Sequence, residues 1–440
     1  MLQLKEFLKQ ECENTLQLLN ETLRHAYSIK DGKRFYVECL TRVNTLKKQI
    51  KDVGEKDFDT QGWLSYRLSL LSELITRIER SHIGEFSWPF AEYLKAIAVD
   101  ICRQEENLPS PEYDPLFFIS AEGGLLAYSI SFEPLSHDMT HAKNRIFNIV
   151  FPRSLKHSVL LHPILGHEIG HAAYSHSNMS QRLDKEVLEP LLAEGLLADA
   201  TSLKRWMSEV YSVNSPDDAA AEVFDDWKEE YLCDLFGLVI MGPSFVSAHR
   251  SLLRTIDPPG YELSSTHPPK LTRYWMIDEA VRYLQWDRFA ANARGEFGRA
   301  VKSCSSSCKE PLRGMNNAFK VFKVSSIHRA VDGLKAILGP IPNALYQFPA
   351  LSEIKGMATR ICDSSPPVQT TIRKNGISFS LENSVSDFRT VLYAGWLAWH
   401  QCSVTKRELS FQVINRFCDT GLLNLQALKR WNDEAVVSGI

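Results

Sequence analysis

The sequence predicts an α+β protein, predominantly helical, with its main strands gathered in a central segment between two helical flanks. Three observations carry this expectation. Apolar residues recur at three- and four-residue steps from the start to about Leu108. β-Branched and aromatic residues bounded by Gly and Pro crowd the stretch after Pro115. Helical periodicity then returns for most of the remainder.

Taken in order, Leu4, Phe7, Leu8, Leu16, Leu19 and Leu23, with Cys12 filling the gap, give the first segment one face to bury. Amphipathic segments follow from about Trp63 to Ile78 and from Trp88 to Cys102. The run LPSPEYDP then stops any helix, because Pro109, Pro111 and Pro115 each lack the amide that a helix needs. LFFISAEGGLLAYSISFEP and RIFNIVFP read as strands. The former is expected either as an ordinary core hairpin turning at Gly123-Gly124 or as an edge along which a peptide adds itself. LHPILGHEIGHAAYSH and EVLEPLLAEGLLADATSLKRW read as helix, as does the stretch from about Ala219 to Met241. A loop at Asp257-Pro258-Pro259-Gly260 precedes SSTHPPKLTRYWMIDEAVRYL, which is helical again. A Ser-rich run from Ser303 to Ser307 marks a second break. Beyond it LGPIPN, SSPPVQ and the β-like TIRKNGISFSL punctuate a mostly helical end, in which FRTVLYAGWLAWH fits a buried helix. The expected regions are therefore 1–108, 109–300 and 301–440.

Composition narrows the function. With 44% hydrophobic and 23% charged residues and a net charge of -3, the chain looks like an ordinary soluble protein and has no electrostatic reason to bind nucleic acid. The N-terminus lacks the basic and apolar regions of a signal peptide, and LFGLVIMGPSFVSA is too short, and broken by Gly242-Pro243, to span a bilayer. Nine scattered cysteines suit a reducing compartment, so a cytoplasmic protein without a membrane span is expected. Cys304 and Cys308, the one close pair, read as part of a Ser-rich loop.

The stretch GHEIGH places His167 and His171 four residues apart, on one helix face, with Glu168 beside them. Two such histidines can share a zinc ion while the glutamate works as a base. Pro163 is tolerable in a first turn, whereas Gly166 and Gly170 are poor helix formers and call for a close neighbour, either a backbone or a substrate. A third protein ligand is required. The third histidine of the metzincins would fall on Ser177, so that arrangement fails. His176 stands about 140° around the helix from His171. Glu194 and Glu230 both qualify, and spacing favours Glu230: Asp234 follows it by one turn and can accept a hydrogen bond from the far nitrogen of a ligating histidine. Glu229 faces away from Asp234, and with Glu222, Asp225 and Asp226 it reads as a solvated acidic face. His157 and His162 read as structural.

In order along the chain, HEIGH, then Glu230-x-x-x-Asp234, then Ser-Thr-His-Pro-Pro with Arg273 beyond it, resemble the M48 family of gluzincin metallopeptidases, the HtpX-like and CAAX-prenyl-type proteases. The likeness covers roughly Leu116 to Leu284. It implies a zincin-like core, a Zn2+ cofactor on His167, His171 and Glu230, Glu168 as general base, and His267 and Arg273 near the oxyanion. The chain departs from the family in having no spanning helix and in carrying Cys233 where an alanine is common. The expected function is hydrolysis of peptide bonds in a protein substrate. The alternatives are an interaction protein working through its helical flanks, by a regulatory partner or self-association, and a zinc hydrolase for non-peptide amides.

Overall fold

A computed structural model describes residues 4–24, 31–79, 86–106, 116–123, 128–134, 145–175, 177–192, 216–256, 267–268, 270–286, 322–368, 370–373, 378–381, 387–405 and 409–438. His176, Glu194, the Ser-rich run with Cys304 and Cys308, and the Asp257–Gly260 loop lie outside the described residues. The chain is predominantly helical, and no described helix is long and apolar enough to cross a membrane. It divides into two compact units, one of Met1–Val99 with Leu108–His157, the other of Asp100–Asn107 with Ser158–Ile440.

In the former unit α1 (Leu4–Thr22), α2 (Asp31–Asp52) and α3 (Phe58–Glu79) share one core. Phe35, Cys39, Val43, Leu46 and Ile50 line one side of α2, and Leu64, Leu68, Leu71 and Ile75 one side of α3, all at helical steps. On α1 the buried stripe is Leu8, Cys12, Thr15, Leu19 and Thr22. The apolar face expected from the sequence is therefore narrower than drawn, since Leu4, Phe7 and Leu23 are exposed. Threonine can occupy a buried position here because its hydroxyl returns to the helix: Thr15 Oγ1 donates to Glu11 O at 2.8 Å and Thr22 Oγ1 to Leu19 O at 2.6 Å.

The same unit holds a three-stranded sheet of β1 (Leu116–Glu122), β2 (Ser129–Pro134) and β3 (Arg145–Pro152). The order is β1-β3-β2, with β3 parallel to β1 and antiparallel to β2. The expected hairpin between β1 and β2 is not formed, because β3 occupies the slot between them. Gly123, just past the end of β1, takes φ 62°, which glycine adopts without steric cost. Phe151 of β3 packs against the rings of Phe86, Phe90 and Tyr128, with centroids 6.3, 6.4 and 6.3 Å away.

The fourth helix, α4 (Trp88–Glu106), belongs to the former unit as far as Val99. In the other unit a 3-10 turn at His162–Ile164, with Pro163 inside it, leads into α5 (Leu165–Tyr174). A further helical run comprises α6 (Ser177–Leu183), a π turn over Asp184–Leu188 and α7 (Glu189–Leu192). Then come α8 (Pro216–Met241), α9 (Pro243–Ile256), α10 (Lys270–Tyr283), α11 (Val324–Leu338), α12 (Leu351–Cys362), a two-stranded antiparallel sheet of Thr370–Arg373 and Ser378–Leu381, α13 (Phe388–Thr405) and α14 (Phe411–Ser438).

The C-terminal helices are tied to the backbone around α5 and α8. Gly242 ends α8 at φ 65°, where a Cβ would meet the Tyr346 ring at 2.2 Å, and Pro243 starts the next helix. One carbonyl left open by that ending, Ile240 O, accepts a hydrogen bond from Arg389 of α13 at 2.8 Å. At the entry to α5, Leu160 N donates to Asn415 Oδ1 of α14 and Leu160 O accepts from Trp396 Nε1 of α13, each at 2.9 Å. As expected for FRTVLYAGWLAWH, Val391, Leu392, Ala394, Trp396 and Ala398 are buried.

Candidate metal centre

The site is built on two helices, α5 and α8, whose backbones touch. A Cβ on Gly166 would lie 3.1 Å from Gly237 Cα, and a Cβ on Gly170 would lie 2.9 Å from Cys233 Cα. Gly166 faces Gly237 while Gly170 faces Cys233, so the helices run antiparallel with small residues at four-residue steps on both sides. The two glycines that looked costly in a helix are thus explained by a neighbouring backbone. Cys233 fits the same contact because its side chain is small, and burial pushes its thiol up to about 12, so it stays protonated.

This contact brings His167 and His171 of α5 over Glu230 of α8. His167 Nε2 is 3.1 Å from His171 Nε2 and 3.4 Å from Glu230 Oε2, and His171 Nε2 is 3.3 Å from Glu230 Oε1. Three donor atoms held about 2.0–2.2 Å from a tetrahedral zinc would stand about 3.3–3.6 Å from one another. The two distances to the Glu230 oxygens fall in that range and the imidazole pair stands slightly closer, so the three residues group as ligands of one ion.

Protonation supports the fit. His167 Nδ1 is 3.0 Å from Asp234 Oδ1, and His171 Nδ1 is 2.7 Å from Glu229 Oε1. A carboxylate only accepts, so each Nδ1 carries the proton, and in the neutral ring each Nε2 presents a lone pair. Two lone pairs and a carboxylate then face one another in a buried place, an arrangement that calls for a cation. Burial by itself lowers the affinity of His167 for a proton, but the Glu230 and Asp234 carboxylates outweigh it and raise the pKa, so without a metal Nε2 attracts a proton, the cation that a bound metal would displace. At His171 the Glu229 and Glu230 carboxylates likewise outweigh burial and raise the pKa. Burial would raise Glu230, yet His167 and Arg273 hold it well below the usual carboxylate range.

Asp234, fully buried, is the anchor behind these ligands. Besides His167 it accepts from Arg273 Nε and Nη2 of α10, both at 2.7 Å, and His249 Nε2 of α9 approaches its Oδ1 to 3.0 Å. Burial pushes His249 down to about 4, so a neutral ring packs beside the carboxylate. Arg273 also extends Nη1 to within 3.3 Å of Glu230 Oε2. Removing the anchor should be costly. Asp234→Ala is expected to lower stability by about 3–5 kcal/mol, because Arg273 is left buried without its bidentate partner. It should also weaken zinc binding about 10–100-fold through loss of the His167 contact. Denaturant unfolding and competition with a chromogenic chelator measure the two effects separately.

The remaining sequence candidates are close by. Glu168 is half-buried, and burial raises its carboxyl pKa above the usual value. The His267 side chain is 61% exposed, with Nε2 3.6 Å from Glu230 Oε1, so it stands on the solvent side of that ligand. Glu229 requires a correction. It is not merely part of a solvated face, since its carboxylate accepts from His171. His249 carries no signal in the sequence: it sits in PSFVSAHRSLL with no spacing that marks it.

Residues 155–281 match the family described as Peptidase family M48, so the chain carries an M48 peptidase domain with His167, His171 and Glu230 as its candidate zinc ligands. No curated protein and no solved structure matches the chain.

Proposed function

We propose that this M48 domain makes the chain a zinc-dependent endopeptidase or related peptidase acting on protein or peptide substrates. The observation that supports this most is the convergence of two imidazole lone pairs and one carboxylate at 3.1–3.4 Å, with Glu168 adjacent in sequence to His167. Zinc, when bound there, supplies a positive charge that acidifies water and polarises a carbonyl.

The protein's own groups then divide the work. Glu168 takes the proton of the attacking water and passes it to the leaving amine; its raised pKa suits both halves of that transfer. His267, exposed at the mouth of the site, donates toward the oxyanion of the substrate carbonyl. Arg273 has its guanidinium committed to Asp234 and Glu230, so it contributes by fixing the ligand carboxylate and by its charge. Asp234 and Glu229 keep the proton of each ligand imidazole on Nδ1. His249 supports Asp234 from the far side.

Purified full-length protein is expected to contain close to one zinc per chain and to cleave members of a peptide library. Chelation should abolish cleavage, and added zinc should restore it. Absence of near-stoichiometric zinc would sink the reading. Cleavage of small non-peptide amides with no peptide turnover would redirect it to an amidohydrolase.

A further inference from the structure

Away from the metal centre, two thiols meet. Cys362 is the last residue of α12 and Cys402 lies in the last turn of α13, and their sulfurs are 3.2 Å apart. Neither is in a disulfide. Cys362 is half-buried, whereas Cys402 is 1% exposed, so one thiol of the pair can be reached from solvent and the other is held behind it. The Cys362 sulfur also sits 3.8 Å from Ala398 O and 3.7 Å from Gln401 Oε1, which places it against the same turn of α13 that carries its partner. A disulfide needs its sulfurs at about 2.05 Å, so closing this pair takes a displacement of about 1 Å, within reach of side-chain rotation.

We propose that Cys362 and Cys402 form an oxidation site for small two-electron oxidants such as hydrogen peroxide, with Cys362 as the attacking thiol and Cys402 as the resolving one. The Cys362 thiolate attacks one peroxide oxygen, the O–O bond breaks, and the departing hydroxide takes up a proton to leave as water. Cys362 is then a sulfenic acid. The Cys402 thiolate, its proton passed to solvent, attacks the Cys362 sulfur and expels hydroxide, which leaves as a second water. The two sulfurs have lost two electrons and the peroxide has gained them.

The cross-link would close a loop of residues 40 apart in sequence and join α12 to the helix that bears Arg389 and Trp396. Those two side chains hold the backbone at Ile240 and Leu160, next to the helices that carry the metal ligands. Oxidation is therefore expected to raise the thermal midpoint of the zinc-bearing unit, by restricting the unfolded chain, and to leave the ligand geometry in place.

The test uses the reduced full-length protein exposed to hydrogen peroxide, followed by thiol titration and peptide mapping without reductant. The expected result is loss of two thiols per chain, an intramolecular Cys362–Cys402 link that dithiothreitol reverses, and a higher unfolding midpoint. In Cys402→Ser, Cys362 should instead be trapped by dimedone as the sulfenic acid. Irreversible over-oxidation of Cys362 with Cys402 still a thiol would overturn the proposal. So would oxidation of other cysteines while this pair stays reduced. The map of the wild-type protein decides the matter even where Cys402→Ser fails to fold.

Discussion

Glu168→Gln is expected to lose peptide hydrolysis by about 10²–10⁴-fold while keeping its zinc. The substitution preserves size, so the helix pair and its glycine contacts are undisturbed, and the new amide would still sit beside His167. What disappears is the capacity to accept and return a proton. Arg273 cannot substitute, since it is bound to Asp234 and Glu230 and cannot take up a proton, and His267 stands on the solvent side of Glu230 as the oxyanion donor. Measurement of kcat/KM beside zinc content decides the point. Unchanged turnover would place the base elsewhere, and lost zinc would show a structural role for the carboxylate. Because the variant should still bind substrate, it is also a trap with which to recover bound proteins.

Truncation after Ser303 is expected to yield no soluble, zinc-bearing protein. The chain would then lack α11 to α14, and with them Trp396 and Asn415, which satisfy both backbone groups of Leu160 just before the metal-ligand helix. It would also lack Arg389, which closes a carbonyl at the end of the other metal-ligand helix. Buried side chains of the zinc-bearing unit such as Leu160, Ile164 and Phe245 belong to the compact unit that continues to Ile440. Expression of residues 1–303 with solubility and zinc analysis is the measurement. A soluble fragment with the basal activity of the full chain would show instead that the C-terminal helices are a detachable cover.

The parts of the site that the sequence displays are those set by local period. His167 and His171 on one helix, and Glu230 and Asp234 on another, are four-residue pairs and need no tertiary information. Glu229 is misplaced by the sequence because Asp234 is the wrong reference for its face. In the antiparallel pair the two imidazoles are served from opposite ends of one turn, His167 by Asp234 and His171 by the residue five positions earlier. His249 is invisible to such reasoning, since it reaches Asp234 from a third helix and no spacing links them. The sheet shows the same limit. Each strand is visible in its composition, but the insertion of β3 between β1 and β2 depends on pairings that local pattern does not encode. On α1 the apolar positions are right in kind but not in extent, because the partner helices cover only the stripe from Leu8 to Thr22.

The close contact of Gly166 and Gly170 with Gly237 and Cys233 has a consequence for how the ion is taken up. The separation of the ligands is set by two main chains in contact, with Met241 and Phe245 packed against the same glycines. The empty protein should already hold its donors at nearly their final spacing. Uptake would then cost little ordering entropy, and a metal would be held as by a preorganised chelator, without the fold having to melt and re-form.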